Sequence, residues 1–141
     1  MFLRRLPILF LLGSFAISQA SAPPRTPDGE SNAPLIAEWK ALPVLNGNNV
    51  KGSIVVTNQS DDDFDQTVIV EAVNEIGKAF ALGYQHFTLR KHSSSPLIRF
   101  DATLPPGHYE IHADAVAEVP SKHAIHRMHL QAPAPLVVTT I

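Results

Sequence analysis

Residues 104–117 read Leu-Pro-Pro-Gly-His-Tyr-Glu-Ile-His-Ala-Asp-Ala-Val-Ala, a proline–glycine turn that feeds a run of alternating apolar and polar residues. A period of two is the pattern of a half-buried strand, so Tyr109, Ile111, Ala113 and Ala115 are expected to face a core. His108, Glu110, His112 and Asp114 then form an outward stripe. Working outward, similar short strands recur, separated by turn residues every 8 to 14 positions. Downstream, Val119-Pro120-Ser121-Lys122 turns the chain, His123 to Gln131 returns, and Leu136 to Ile141 closes it after Pro133 and Pro135. Upstream lie Leu97 to Ala102 and, before the loop His92 to Pro96, the strand Ala79 to Leu89. Strict alternation there places Phe80, Leu82 and Tyr84 on one side and Phe87 on the other. Thr67 to Val73 is the most β-branched stretch and reads as central, following the polar turn Gln59 to Asp65. Val50 to Thr57 precedes it, and Ile36 to Ala41 opens the series as an edge strand closed by Pro43 and the turn Asn46-Gly47-Asn48-Asn49. No stretch holds a 3.6-residue apolar period for three turns.

Seven or eight strands with no helix predict an all-β antiparallel sandwich over residues 35–141. Within it, Leu104, the Pro-Gly turn and Tyr109 at the head of an alternating strand resemble the tyrosine corner of immunoglobulin-like and fibronectin type III-like sandwiches. The resemblance is architectural, and a fold of this kind carries no function with it.

The N-terminus carries a separate signal. Arg4 and Arg5 precede an apolar run, Ile8 to Ile17, and Ala20-Ser21-Ala22 supplies a small-x-small cleavage pattern, so residues 1–22 are expected to be a secretory signal peptide. The run is short for a bilayer of ~30 Å, which leaves no transmembrane segment after cleavage. Pro23 to Pro34 is Pro-, Ser- and Gly-rich and is expected to be a disordered leader. These features place the protein in a bacterial periplasm or outside the cell. With no cysteine among 141 residues, folding there needs no oxidation. The formal charge of −2 gives no electrostatic case for nucleic acid.

Chemistry-bearing motifs are few. There is no cysteine, no Gly-x-Ser-x-Gly elbow and no glycine-rich phosphate loop, so the chain is expected to be non-enzymatic. Four carboxylates crowd Asp61, Asp62, Asp63 and Asp65, an oxygen density that suits Ca²⁺ but lacks the glycine and distal glutamate of an EF-hand loop. Solvated acids in a hairpin connection are the simpler expectation. Asn58-Gln59-Ser60 matches a glycosylation sequon.

Seven histidines stand above background, five of them between His108 and His129. The returning strand puts His123, Ile125, Arg127 and His129 on one face. If His112 lies opposite Ile125, then Glu110 faces Arg127 and His108 faces His129, an ion pair beside a pair of imidazoles. His108, Glu110, His112 and His129 are therefore the candidate ligands for Zn²⁺ or Cu²⁺, with His123 as a further donor. A slip of one residue sets His112 against His126 and breaks the pattern. Clustered imidazoles could also gain charge on acidification. Trp39, His123 and Arg127 are candidate binding residues, Trp39 because an edge strand could leave its ring half exposed, although core packing is the commoner fate of such a residue.

Two functional expectations follow. The first is an exported binding or assembly module that contacts another exported or envelope protein by a sheet face or edge, with no cofactor. The second is a periplasmic Cu- or Zn-binding protein using the histidine-rich face. A glycan-binding module or small hydrolase has no residue pattern in its favour.

Overall fold

The computed structural model describes residues 33–139. The expected signal peptide lies outside them, as does the leader apart from Ala33 and Pro34. Pro34 is already docked, its carbonyl accepting the Gln59 amide at 2.8 Å.

Nine strands follow in order: β1 Leu35–Asn46, β2 Asn49–Asn58, β3 Phe64–Asn74, β4 Ala79–Leu89, β5 Ser93–Ser94, β6 Ile98–Thr103, β7 Gly107–Val119, β8 Ala124–Gln131 and β9 Leu136–Val138. A single 3₁₀ turn, Pro120–Lys122, joins β7 to β8. All pairings are antiparallel. One sheet runs β4–β3–β7, and the far edge of β7 is shared by β8 and β9. The other pairs β1 with β2, whose far edge takes β5 and β6. The fold is an immunoglobulin-like sandwich, with β3 central in its sheet as the β-branched pattern implied.

The opening motif behaves as its residues require. Tyr109 is buried, and its hydroxyl donates to the Pro105 carbonyl at 2.7 Å, four residues upstream. Gly107 leaves room for that ring: a β-carbon there would sit 3.3 Å from the Tyr109 oxygen. Leu104 is buried beside it, its amide donating to Asn48 at 2.9 Å. The corner thus ties the β6–β7 connection to the β1–β2 turn. In that turn Gly47 holds a φ of 68°, which suits the first central position of a type II′ hairpin.

Alternation sorts the long strands. Phe64, Gln66, Val68, Val70 and Ala72 of β3 point inward, as do Tyr109, Ile111, Ala113, Ala115, Ala117 and Val119 of β7. Against them β2 supplies Val50, Ile54 and Val56, and β6 supplies Ile98 and Phe100. Small residues set how closely the layers approach. A β-carbon on Gly52 would lie 2.5 Å from the Phe100 ring tip, and one on Gly83 would lie 3.1 Å from the Phe100 β-carbon. Phe100 therefore occupies space that two glycines from opposite sheets leave free.

The differences from the sequence reading have local causes. β1 continues through Pro43, which an edge strand tolerates, with irregularities on either side of Ala41. Phe64 and Asp65 belong to β3 rather than to the preceding turn. In β4, Leu82 is extra between the pairs Val70–Gly83 and Glu71–Ala81. That bulge reverses the alternation, so Tyr84 turns out to solvent, 63% exposed, while Phe87 turns inward. The aromatic core assignment of Tyr84 is thereby corrected.

Candidate functional site

The outer face of the larger sheet carries a cluster of ionisable residues. From β3 come Asp65 and Glu71, from β7 Glu110, His112, Asp114 and Glu118, and from β8 Arg127 and His129. β4 adds Tyr84 and His86. Tyr84, Ile69, Asp114 and His129 form one row across four strands.

The face partition expected for β7 and β8 holds, but the register lies six residues from the one considered. His112 is opposite Gln131, Asp114 opposite His129, and Val116 opposite Arg127. The long β7 explains the shift: it runs on to Val119 before the 3₁₀ turn, so β8 begins pairing at Ala124–Val119. Two consequences correct the expectation. Arg127 does not face Glu110. His108 does not face His129, since it pairs with Val137 of β9 and lines a cleft of about 360 Å³ with Glu75, Glu110 and Pro135. His123 leaves the strand altogether, adopting a left-handed φ of 52° at the end of the 3₁₀ turn.

What does converge is a diagonal imidazole pair. His112 Nδ1 lies 3.2 Å from His129 Nε2, with the rings 5.1 Å apart. The other nitrogen of His129 meets Asp114 at 2.8 Å, and that of His112 lies 3.5 Å from Glu110. The sequence of groups is carboxylate, imidazole, imidazole, carboxylate. Among the described residues no group of three or more His, Cys, Asp or Glu side chains is placed to hold a metal ion. Flat strands project neighbouring side chains side by side, which sets two imidazoles together without bringing in a third donor.

The acidic loop disperses its charge. Asp61 meets His92 at 2.7 Å, Asp62 meets Lys122 at 2.9 Å, Asp63 accepts the Lys91 amide at 3.0 Å, and Asp65 meets His86 at 2.6 Å. Lys122 is held above its ordinary pKa by the hydrogen bond and charge of Asp62. The loop is shaped by Asn58, which is fully buried and donates to the carbonyls of Asp62 and Leu89 while accepting from Ser60. The sequon asparagine therefore uses its amide inside the fold.

Trp39 lies partly buried against Phe100, edge to face with centroids 6.1 Å apart. Its indole nitrogen is shielded from solvent and has no acceptor among the described residues.

The sheet edges differ sharply. β1 carries Pro43, Lys40 and two irregularities, and it lies against β8, which carries Arg127 and ends near Pro133 and Pro135. Edges of that kind resist pairing with another chain. Among the described residues β4 closes the sheet on the other side, over eleven residues that include no Asp, Glu, Lys, Arg or Pro. Beside its C-terminal half the two layers part, leaving a cleft of about 320 Å³ lined by Gln85, Phe87, Thr88, Pro96, Leu97 and Ile98. Leu97 is 41% exposed there. From the sequence, an edge strand is expected only at Ile36 to Ala41. The absence of charge and proline from residues 79–89 is the signal in the sequence that was passed over.

No family model matches the chain, and no curated protein matches it in sequence. Solved structures similar to it include the ASH / PapD-like domain 7 of human CEP192, at 15% identity over 84% of this chain and 94% of that one, with a TM-score of 0.47. A β-glucosidase from Kluyveromyces marxianus is 12% identical over 73% of this chain, with a TM-score of 0.42, and the chain spans 14% of its length. The alkylpurine DNA glycosylase AlkC of Pseudomonas fluorescens is 13% identical over 72% of this chain and 31% of that one, with a TM-score of 0.42.

Proposed function

We propose that this chain is an exported, non-enzymatic binding or assembly module that works by protein–protein contact, with β4 as the strand it offers and another exported or envelope protein as its partner. One observation carries the reading: among the described residues β4 is a long edge strand without charge or proline, whereas β1 carries both and β8 carries Arg127. Unpaired N–H and C=O groups along such an edge accept a further strand, and the adjacent cleft can take a side chain from it. Export rests on Arg4, Arg5, the apolar run and Ala20-Ser21-Ala22.

The experiment is site-specific photo-crosslinking in the expressing cell, with the probe at Gln85 or Thr88 and a control at Lys40 on β1. A defined adduct from both β4 positions and none from Lys40 is expected. Equal labelling from the two edges contradicts the reading.

A second reading, capture of Zn²⁺ or Cu²⁺, is favoured by one feature. The facing nitrogens of His112 and His129 sit 3.2 Å apart, each ring with a carboxylate behind it, which is how ligating imidazoles are oriented. Two protein ligands are fewer than a closed zinc site uses, which makes this the weaker reading.

A further inference from the structure

Granted the β4 reading just given, the side chains behind that edge select the chemistry of the strand it takes up. From Tyr84 to Thr88 the strand pairs regularly with β3. Tyr84, His86 and Thr88 lie on the outer face, and Gln85 and Phe87 lie on the cleft side. The outer face is short of cations. Asp65, Glu71, Glu110, Asp114 and Glu118 point out from β3 and β7, whereas Arg127 is the one Lys or Arg in the described strands of this sheet. The outward acids of the smaller sheet are each answered, Glu38 by Lys40 at 3.6 Å and Asp101 by Lys51 at 3.9 Å.

The imbalance is sharpest beside Thr88. Asp65 stands directly opposite Glu118, and like charges so placed repel. Asp65 meets His86 at 2.6 Å, but among the described residues no Lys, Arg or His pairs with Glu118. Thr88 is the β4 residue opposite Asp65, and its side chain is short. Neighbouring strands lie about 4.8 Å apart, so Asp65 is two spacings from a strand added at the edge. An extended Lys or Arg beside Thr88 passes over it and meets the carboxylate. Four residues back, the exposed ring of Tyr84 offers its face to a second cation. Between these two positions, on the cleft side, Phe87, Pro96, Leu97 and Ile98 present apolar surface.

We infer that the partner segment taken up at β4 carries two basic residues four apart, with apolar residues at the second and fourth of the five positions. The basic pair lies beside Thr88 and Tyr84, and the apolar pair lies beside Phe87 and Gln85, over the cleft. The middle residue, beside His86, is left open. The five positions are symmetric about His86, so the pattern is the same for parallel and antiparallel addition. An uncharged strand leaves Asp65 and Glu118 opposed, and an acidic one adds to their repulsion.

Fluorescence polarisation with three labelled peptides tests this: Ser-Lys-Val-Thr-Val-Lys-Ser, the same peptide with Ser for both lysines, and the same with Glu for both. The lysine peptide should bind about tenfold more tightly than the serine peptide, with the glutamate peptide weakest. That preference should fall below about threefold in the double variant Asp65→Asn, Glu118→Gln. It should persist in Glu110→Gln, at the far end of the same face. Asp65 and Glu118 both reach solvent, and a preserved circular dichroism spectrum and melting temperature would show that the double variant folds. Equal binding of the lysine and serine peptides, or a preference that survives in the double variant, overturns the inference and leaves β4 as the edge. If none of the three binds up to about 1 mM, the inference fails, and adducts from Gln85 and Thr88 decide the edge reading by themselves.

Discussion

Tyr109 shows how much a single side chain fixes. Its ring fills the space over Gly107, its hydroxyl closes the bond to Pro105, and its neighbour Leu104 reaches across to Asn48. Burial, with a smaller contribution from the Glu75 carboxylate, holds its phenol above the ordinary pKa of 10.0. A raised phenol pKa favours the neutral form in the fold. Its contribution to stability is therefore complete below pH 10.0 and is lost as the pH climbs through the higher folded-state value. Tyr109→Phe keeps the ring and removes both the bond and the titration. A loss of about 1 kcal/mol in urea unfolding at neutral pH is expected, with a shallower decline on the alkaline side than in the native protein. An unchanged midpoint would mean that the ring alone makes the corner. This residue was legible in advance because its role follows from a local motif. Tyr84 was not: the single extra residue at Leu82 turned it from core to solvent, and nothing in an alternating sequence marks where a bulge falls.

At the scale of the element, face was readable and register was not. Alternation assigned His112 and His129 correctly to one side of the sheet because the side-chain period is two whatever the pairing. Which residue met which depended on where β7 ended, and that was set by the 3₁₀ turn at Pro120–Lys122. His108 and His129 were separated by this, and His112 and His129 were joined. The metal reading now rests on that pair. On that second reading, calorimetric titration with Zn²⁺ and Cu²⁺ at neutral pH should give one site per chain, lost in His129→Ala and retained in His108→Ala. Weak or superstoichiometric heats, or equal loss in both variants, would leave only a histidine-rich face. Edge character was likewise legible once the order of strands was known. Residues 79–89 lack charge and proline in any fold, but the topology alone makes that lack an opening rather than a buried centre.

For the molecule as a whole, the two flanks of the sandwich are unlike. On one, β1 and β8 lie against each other and carry proline, lysine and arginine. On the other, β4 stands at the end of its sheet, with a cleft beside its C-terminal half. This asymmetry gives the domain one side suited to adding a strand. The fold class came from the sequence because many short alternating runs leave few ways to bury their faces. The interacting side did not, because strand order is a property of long-range pairing. The direct measurement is amide hydrogen exchange, residue by residue, along Gly83–Leu89. In dilute protein, alternate amides should exchange quickly, those turned away from β3, while their neighbours stay protected. On association the fast set should become protected. Uniform protection of all these amides in dilute protein, or a fast set that stays fast once the protein associates, would contradict the claim that β4 is the binding strand.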